Sequence, residues 1–343
     1  MAEEFGGPSL RDSEPAKWAV QFTGYLTLTE VRARSGKPAA FPAFDVRWAD
    51  ERHEGTCLGF LRDWLRNASY KEDFKRLSRQ AEETYNLSSW AAGLSEPTDA
   101  ESSLKVELIH ERGMIAKIDG LKSVQDLKES IEEQGSLIDR MESHFWSEEG
   151  EVAVWRALST AGKIFKQLDL AMHELKEAGT AEHLVQRYRE DWWRMDRFYR
   201  GYRRDHDGVD RIARVSEQVR SVYREYLLAL NEKFVDLLTR GKGRPVLEGI
   251  PPQADFWNRA VSKKKKKRAV FFVDALRYEL AKELEENLKR EFPEAVISLG
   301  ALQGAFPSLT DIGMAALLPS EPLSLSVSSG QWDVRSGKKS GNL

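Results

Sequence analysis

Eight apolar residues between positions 212 and 237 recur at spacings of three and four: Ile212, Val215, Val219, Val222, Tyr226, Leu230, Phe234 and Leu237. A stripe of that length fits one long amphipathic α-helix with a single face turned to a core. The same periodicity appears upstream. Phe74, Leu77, Ala81 and Tyr85 follow a Ser69/Glu72 pair spaced as a capping box, and Val152, Trp155, Leu158, Phe165, Leu168 and Met172 mark a further helix. Turn residues interrupt the stripes at 93–99 with Pro97, at Gly135-Ser136 and at Asp205-His206-Asp207-Gly208. Residues 55–240 are therefore expected to form an all-helical domain. Residues 1–54, with Phe41-Pro42-Ala43-Phe44, are expected to be an extended or partly disordered N-terminal segment.

At Arg240 the pattern changes. Gly241, Gly243, Pro245, Gly249, Pro251 and Pro252 crowd a short span, so 241–267 reads as a linker and basic loop. Beyond it, residues 269–273 (AVFFV) make a continuous apolar run rich in Val and Phe, as in a parallel strand covered on both faces. Tyr278, Leu280, Leu284 and Leu288 predict a helix, and residues 295–299 a second strand. A right-handed βαβ crossover would set the C-terminal ends of both strands on one edge. The expected fold class is α + α/β, and 343 residues with 41% hydrophobic content suffice for two domains of ~150 residues.

Charge and cysteine usage exclude several classes. The formal charge of -3 gives no global positive field for nucleic acid or an acidic membrane. Cys57 is the only cysteine, which rules out a disulfide framework within the chain and cysteine-based zinc knuckles and suits a reducing compartment. No run approaches the ~18 apolar residues of a membrane span, and the start, MAEEFGGPSLRDSEP, is unlike a secretory leader. A soluble, cytoplasmic protein without membrane contact is expected.

The chemistry concentrates in residues 268–310. Ligands in open α/β sheets gather beyond the carboxyl ends of strands, where the predicted first strand delivers Asp274. A carboxylate there suits a divalent cation or, equally on position alone, a cap for the next helix. Thr310 lies in PSLTDIGM, ahead of an apolar run from Met314 to Leu318 that predicts a helix start. Backbone N–H groups there would favour an alkoxide or a phosphate; taken alone, a cap by Ser308 or Thr310 is the plainer reading.

Together, DALRYEL followed by PSLTDIGMAALLP resembles the opening of the PglZ domain of BREX phage-defence systems, within the alkaline-phosphatase superfamily. The resemblance implies that Asp274 is a metal ligand and that Thr310 is both nucleophile and ligand. It also implies two divalent ions, usually zinc, acting in phosphoester cleavage. The implied partners are other BREX defence proteins. The implied substrate is a phosphate monoester, a nucleotide or a nucleic-acid diester such as DNA. SYKEDFKRLSRQAEE, DWWRMDRFYRGYRRDHD and VYREYLLALNEKF resemble the helical region that precedes the domain in type 1 systems.

One departure qualifies the match. Phosphatases of this superfamily take further Asp and His ligands far downstream of the nucleophile, whereas all six histidines here (His53, His110, His144, His173, His183 and His206) precede the β/α part. A two-ion site needs roughly three protein ligands per metal. The tail GQWDVRSGKKSGNL also resembles a segment that leads on to more sheet. Residues 268–343 are therefore expected to be an incomplete domain, truncated after the nucleophile segment, that alone binds no stoichiometric zinc and is inactive. The alternative is a helical interaction scaffold that docks other defence proteins without catalysis.

Three further clusters have plainer readings. Asp205-His206-Asp207 with Asp210 invites a metal, but adjacent residues converge poorly on one ion and Gly208 favours a turn. Residues 187–204 mix seven arginines with aromatics, as single-strand binders do, yet Tyr188, Trp192, Met195, Tyr199 and Tyr202 share one stripe and favour a core helix. The lysines from Lys263 to Lys267, with Arg268, read as a solvated loop.

Overall fold

The computed structural model describes residues 2–9, 14–35, 48–87, 98–149, 154–206, 208–240, 247–262, 267–319, 323–328 and 331–336. The chain divides into two compact units, Met1–Lys166 with Gly201–Val222, and Gln167–Arg200 with Tyr223–Leu343. The first unit contains α1 (Ala2–Phe5), α2 (Pro15–Ser35), α3 (Glu54–Arg66), α4 (Lys71–Thr84), α5 (Leu104–Asp119), α6 (Val124–Glu133) and α7 (Gly135–Glu142). Then follow α8 (Val154–Glu177), α9 (Ala181–Arg187), α10 (Trp193–His206) and α11 (Ala213–Thr239), of which α9 lies wholly in the second unit.

The segment 1–54 departs from expectation: it contains α1 and the 21-residue α2. Every residue from Phe22 to Val31 is buried, so α2 has core on all sides and shows no polar stripe to read. Thr29 and Glu30 find backbone partners for their buried side chains, whereas Thr27 Oγ1 finds none among the described residues. Thr29 Oγ1 donates to Tyr25 O at 2.7 Å and accepts from Ala49 N at 2.9 Å, while Glu30 Oε2 accepts from Ser102 N at 2.9 Å. A Cβ added at Gly24 would come within 2.9 Å of the Tyr85 ring, so α2 and its neighbour approach as closely as glycine allows. Phe41-Pro42-Ala43-Phe44 lie outside the described residues.

Edge-to-face ring pairs carry much of this core. Trp64 meets Phe74 at 5.0 Å, Phe74 meets Phe145 at 5.3 Å, and Phe145 meets Trp146 at 5.1 Å. Leu26, Trp146, Trp155 and Leu158 are fully buried. The expected Ser69/Glu72 capping box is replaced by a 3₁₀ turn, Ala68–Tyr70, whose cap is Asn67: its Oδ1 accepts from Ser69 N at 3.0 Å. The extra turn shifts the start of α4 to Lys71, leaving Ser69 ahead of it. A complete capping box forms at Ser123 and Asp126, at the head of α6.

In the second unit, Ala181, Leu247 and Ile250 form a small core against which Val185, Phe234, Leu237 and Leu238 pack. The later half of the long apolar stripe therefore finds its partners after residue 240. This is why the compact units do not follow a boundary there: Leu247 and Ile250 belong to the core of the second unit. The unit continues with a 3₁₀ turn (Gln253–Asp255), α12 (Tyr278–Glu291), α13 (Thr310–Leu317), and an antiparallel hairpin of β1 (Leu323–Ser328) and β2 (Gln331–Ser336), registered from Leu323 opposite Ser336 to Ser328 opposite Gln331.

Neither expected parallel strand is shown among the described residues: 269–273 and 295–299 have no ladder partners there. Phe271 is 86% exposed and Val273 61%. An apolar run becomes a parallel strand only when neighbours bond both edges and layers cover both faces. The described residues supply near it only an isolated parallel bridge, Pro252 to Gln303. The described residues therefore do not show the α/β part of the expected fold. No helix of the described residues is long and apolar enough to cross a membrane.

Candidate functional site

Asp274 follows the extended apolar run and opens a turn ahead of α12. Its Oδ1 accepts from Ala275 N at 2.9 Å, and Ala275 adopts φ +54°, a left-handed conformation that costs an L-residue ~1 kcal/mol or more. The N-cap of α12 is Arg277, which makes no side-chain cap, so Asp274 does not cap that helix. Its exposed carboxylate is bound only locally. Two residues beyond the turn, Arg277 Nε lies 2.9 Å from Oε1 of the fully buried Glu279. Neither Glu279 oxygen receives an aligned hydrogen bond, so this is an electrostatic contact.

Thr310 is the first residue of α13, as the apolar run behind it predicted. Leu309 occupies the N-cap position without a side-chain bond, so neither Ser308 nor Thr310 caps the helix, and the Thr310 side chain is exposed. Ile312, Ala315 and Ala316 bury the opposite side of α13. Two glutamines that sequence reasoning did not single out hold this segment. Gln253 donates through Nε2 to Gly313 O at 3.0 Å and accepts through Oε1 from Ala305 N at 2.9 Å. Gln303 exchanges backbone bonds of 2.8 Å with Pro251 O and Gln253 N, and its Oε1 accepts from Leu247 N at 3.2 Å. Nothing in residue type or spacing marks either glutamine in advance.

No hydrogen bond joins Asp274 to Thr310 among the described residues, and no three His, Cys, Asp or Glu side chains there converge as metal ligands would. Two exposed side chains do not amount to a two-ion site. The described residues therefore do not by themselves fit the pair of divalent ions that the resemblance implies, and no chemical step is derived through them.

The other clusters resolve into structure. Tyr188 and Tyr223 both donate to Asp196, the latter at 2.8 Å, and Tyr199 stacks on Tyr223 with centroids 3.7 Å apart. Burial first, then the Asp196 carboxylate, pushes both donating hydroxyls far above the ordinary tyrosine range. Trp192 Nε1 and the Arg187 guanidinium share Glu174, and Arg194 pairs with Asp191. Rings turned inward and arginines neutralised in this way leave little for base stacking. At the end of α10, both Asp205 oxygens accept from Arg204, and buried His206 packs on the Tyr202 ring at 5.1 Å. Gly208 turns the chain at φ +88°. Asp207 and Lys263 to Lys266 lie outside the described residues.

A buried titratable group in the first unit also went unread, although Glu107, His110 and Glu111 share a helical face. His144 Nδ1 lies 3.1 Å from Glu107 Oε2; burial opposes the imidazolium, but the carboxylate outweighs it and raises the His144 pKa. His110 accepts from Thr98 N at 3.1 Å, and burial lowers its pKa to about 4. Arg211 donates to Glu111 at 2.5 Å. These groups secure loops and helix ends.

Residues 256–338 match the family model for the BREX system PglZ alkaline phosphatase-like domain. Over 299 residues the chain is 24% identical to "Alkaline phosphatase-like protein BrxZ" of Escherichia coli O9:H4 (strain HS), covering 80% of this chain and 33% of that protein. Over 174 residues it is 30% identical to "Alkaline phosphatase-like protein PglZ" of Bacillus cereus (strain H3081.97), covering 48% and 20%. The chain thus spans a third or less of the length of these curated relatives. No solved structure matches it. Asp274 and Thr310 both lie inside the stretch that is similar to the PglZ domain of BREX systems.

Proposed function

We propose that this chain is part of a metal-dependent phosphoester hydrolase of a phage-defence system, acting in the cytoplasm beside other BREX proteins. Thr310 is its nucleophile and Asp274 one of its metal ligands. One observation carries the reading: the PglZ match contains both residues, each exposed and each next to a helix of the second unit. Thr310 Oγ1 is neither buried nor used as a cap and is free to approach a phosphoester. Zinc-like divalent ions belong to the proposal, with ligands beyond the described residues. A phosphate monoester, a nucleotide and a nucleic-acid diester are the substrate classes to be separated.

The test is metal-dependent hydrolysis of mono- and diester substrates by the full-length gene product, beside Thr310→Ala and Asp274→Asn. Thr310→Ala is expected to lower kcat by about a hundredfold or more with folding intact. Asp274→Asn should raise the metal concentration needed for half-maximal rate. Hydrolysis undiminished in Thr310→Ala would refute the nucleophile. A wild-type protein without metal-dependent hydrolysis would favour the scaffold reading.

A further inference from the structure

We propose that Arg197 and Arg200 of α10 are positioning residues: they seat α12 by its acidic stripe and so hold the Asp274 segment, an inference that rests on the function proposed above. Glu279, Glu283 and Glu286 stand at i, i+4 and i+7 on α12 and share one face. Glu279 is fully buried, Glu283 pairs with Arg200, and Glu286 Oε2 lies 2.6 Å from Arg197 Nη1. At the head of α12, the Tyr278 ring packs on Tyr188 with centroids 6.0 Å apart.

These contacts set a register. Tyr188 precedes Arg197 by nine residues and Tyr278 precedes Glu286 by eight, spans of ~13 and ~12 Å along helical chain. The ring pair and the Arg197–Glu286 pair fix where α12 lies against this stretch of chain. Arg200 reaches back a turn to Glu283 and braces the pair. The apolar residues Leu280, Leu284 and Leu288 point elsewhere, and Leu284 remains exposed. An amphipathic helix ordinarily docks by its apolar stripe; here Leu280 and Leu288 are half-buried and the acidic face, with Glu279 buried, makes contacts as well. The seat passes to the candidate ligand through a short link. Glu279 meets Arg277 at 2.9 Å, and the turn of Asp274 and Ala275 follows directly upstream.

The test is a charge reversal and its repair in the full-length gene product. Arg197→Glu with Arg200→Glu sets like charges against Glu283 and Glu286; adding Glu283→Arg and Glu286→Arg restores attraction with the polarity inverted. Amide hydrogen exchange is read across α12 and at Ala275, whose N–H is held by the Asp274 carboxylate. The reversed protein is expected to exchange about tenfold faster at both places, and the repaired protein to recover protection. In hydrolysis, the reversed protein should lose kcat with KM unchanged. Unchanged exchange, failure of the repair, faster exchange in α12 that leaves Ala275 protected, or undiminished kcat would each overturn the proposal. If wild type proves to have no metal-dependent hydrolysis, the function fails, while exchange at Ala275 still decides the positioning.

Discussion

Replacing Glu111 by glutamine should remove a defined part of the pH dependence of stability. Glu111 is fully buried on α5, where burial raises its pKa from 4.5 to about 7 despite the opposing charge of Arg211. A carboxyl group whose folded pKa lies above its unfolded value binds protons more tightly when folded. Its contribution is therefore complete below pH 4.5 and is lost as pH rises through about 7. At about 1.4 kcal/mol for each tenfold change in proton affinity, the displacement from 4.5 to about 7 comes to about 3 kcal/mol. Glutamine cannot ionise, so it removes this slope, although its buried amide adds a cost of ~1–3 kcal/mol at every pH. Urea unfolding of both proteins from below pH 4.5 to above pH 7 isolates the effect. Groups shared by the two, such as His110, whose lowered pKa contributes stability that is lost on acidification from 6.5 towards about 4, cancel in the difference. The variant is expected to gain on wild type by about 3 kcal/mol as pH rises across that window. Parallel curves would refute both the burial argument and the assignment of Glu111 as the titrating group.

Two local substitutions probe the candidate segments. Ala275→Gly removes the left-handed penalty at φ +54° and should stabilise the second unit by up to ~1 kcal/mol in urea unfolding; a loss would show that the turn does not hold this conformation. Gln253→Ala breaks the bonds to Gly313 O and Ala305 N and should cost ~1–3 kcal/mol, with faster amide exchange through α13; unchanged exchange there would mean that Gln253 does not hold the Thr310 segment.

Legibility in the sequence followed the kind of burial. In the long stripe, Ile212, Val215, Val219 and Tyr226 are buried as their spacing predicts, because that helix has one wet face. In α2 the same rule is silent. Thr23, Gly24, Thr27, Thr29 and Glu30 lie among the buried residues, with Thr23, Thr29 and Glu30 bonded to backbone groups, so no polar face interrupts the pattern. The run at 269–273 signalled burial on two faces, but the bonds that would make it a strand must come from other chain segments. At the site, the helices after Asp274 and Thr310 were legible, while the glutamines that hold the second segment were not.

The sequence by itself determined where the helices with one wet face run, because a period of 3.6 residues acts within a few positions of the chain. It also singled out Asp274 and Thr310 through the types and order of their neighbours. Only the tertiary structure decided that the arginines of α10 face the carboxylates of α12, that the tyrosines around Asp196 are spent on packing, and that Glu279 of α12 is buried while Leu284 is exposed. The contacts between α10 and α12 depend on which surfaces meet across gaps of more than eighty residues. An acidic face and an apolar face on one helix are each a complete docking surface until a partner selects between them.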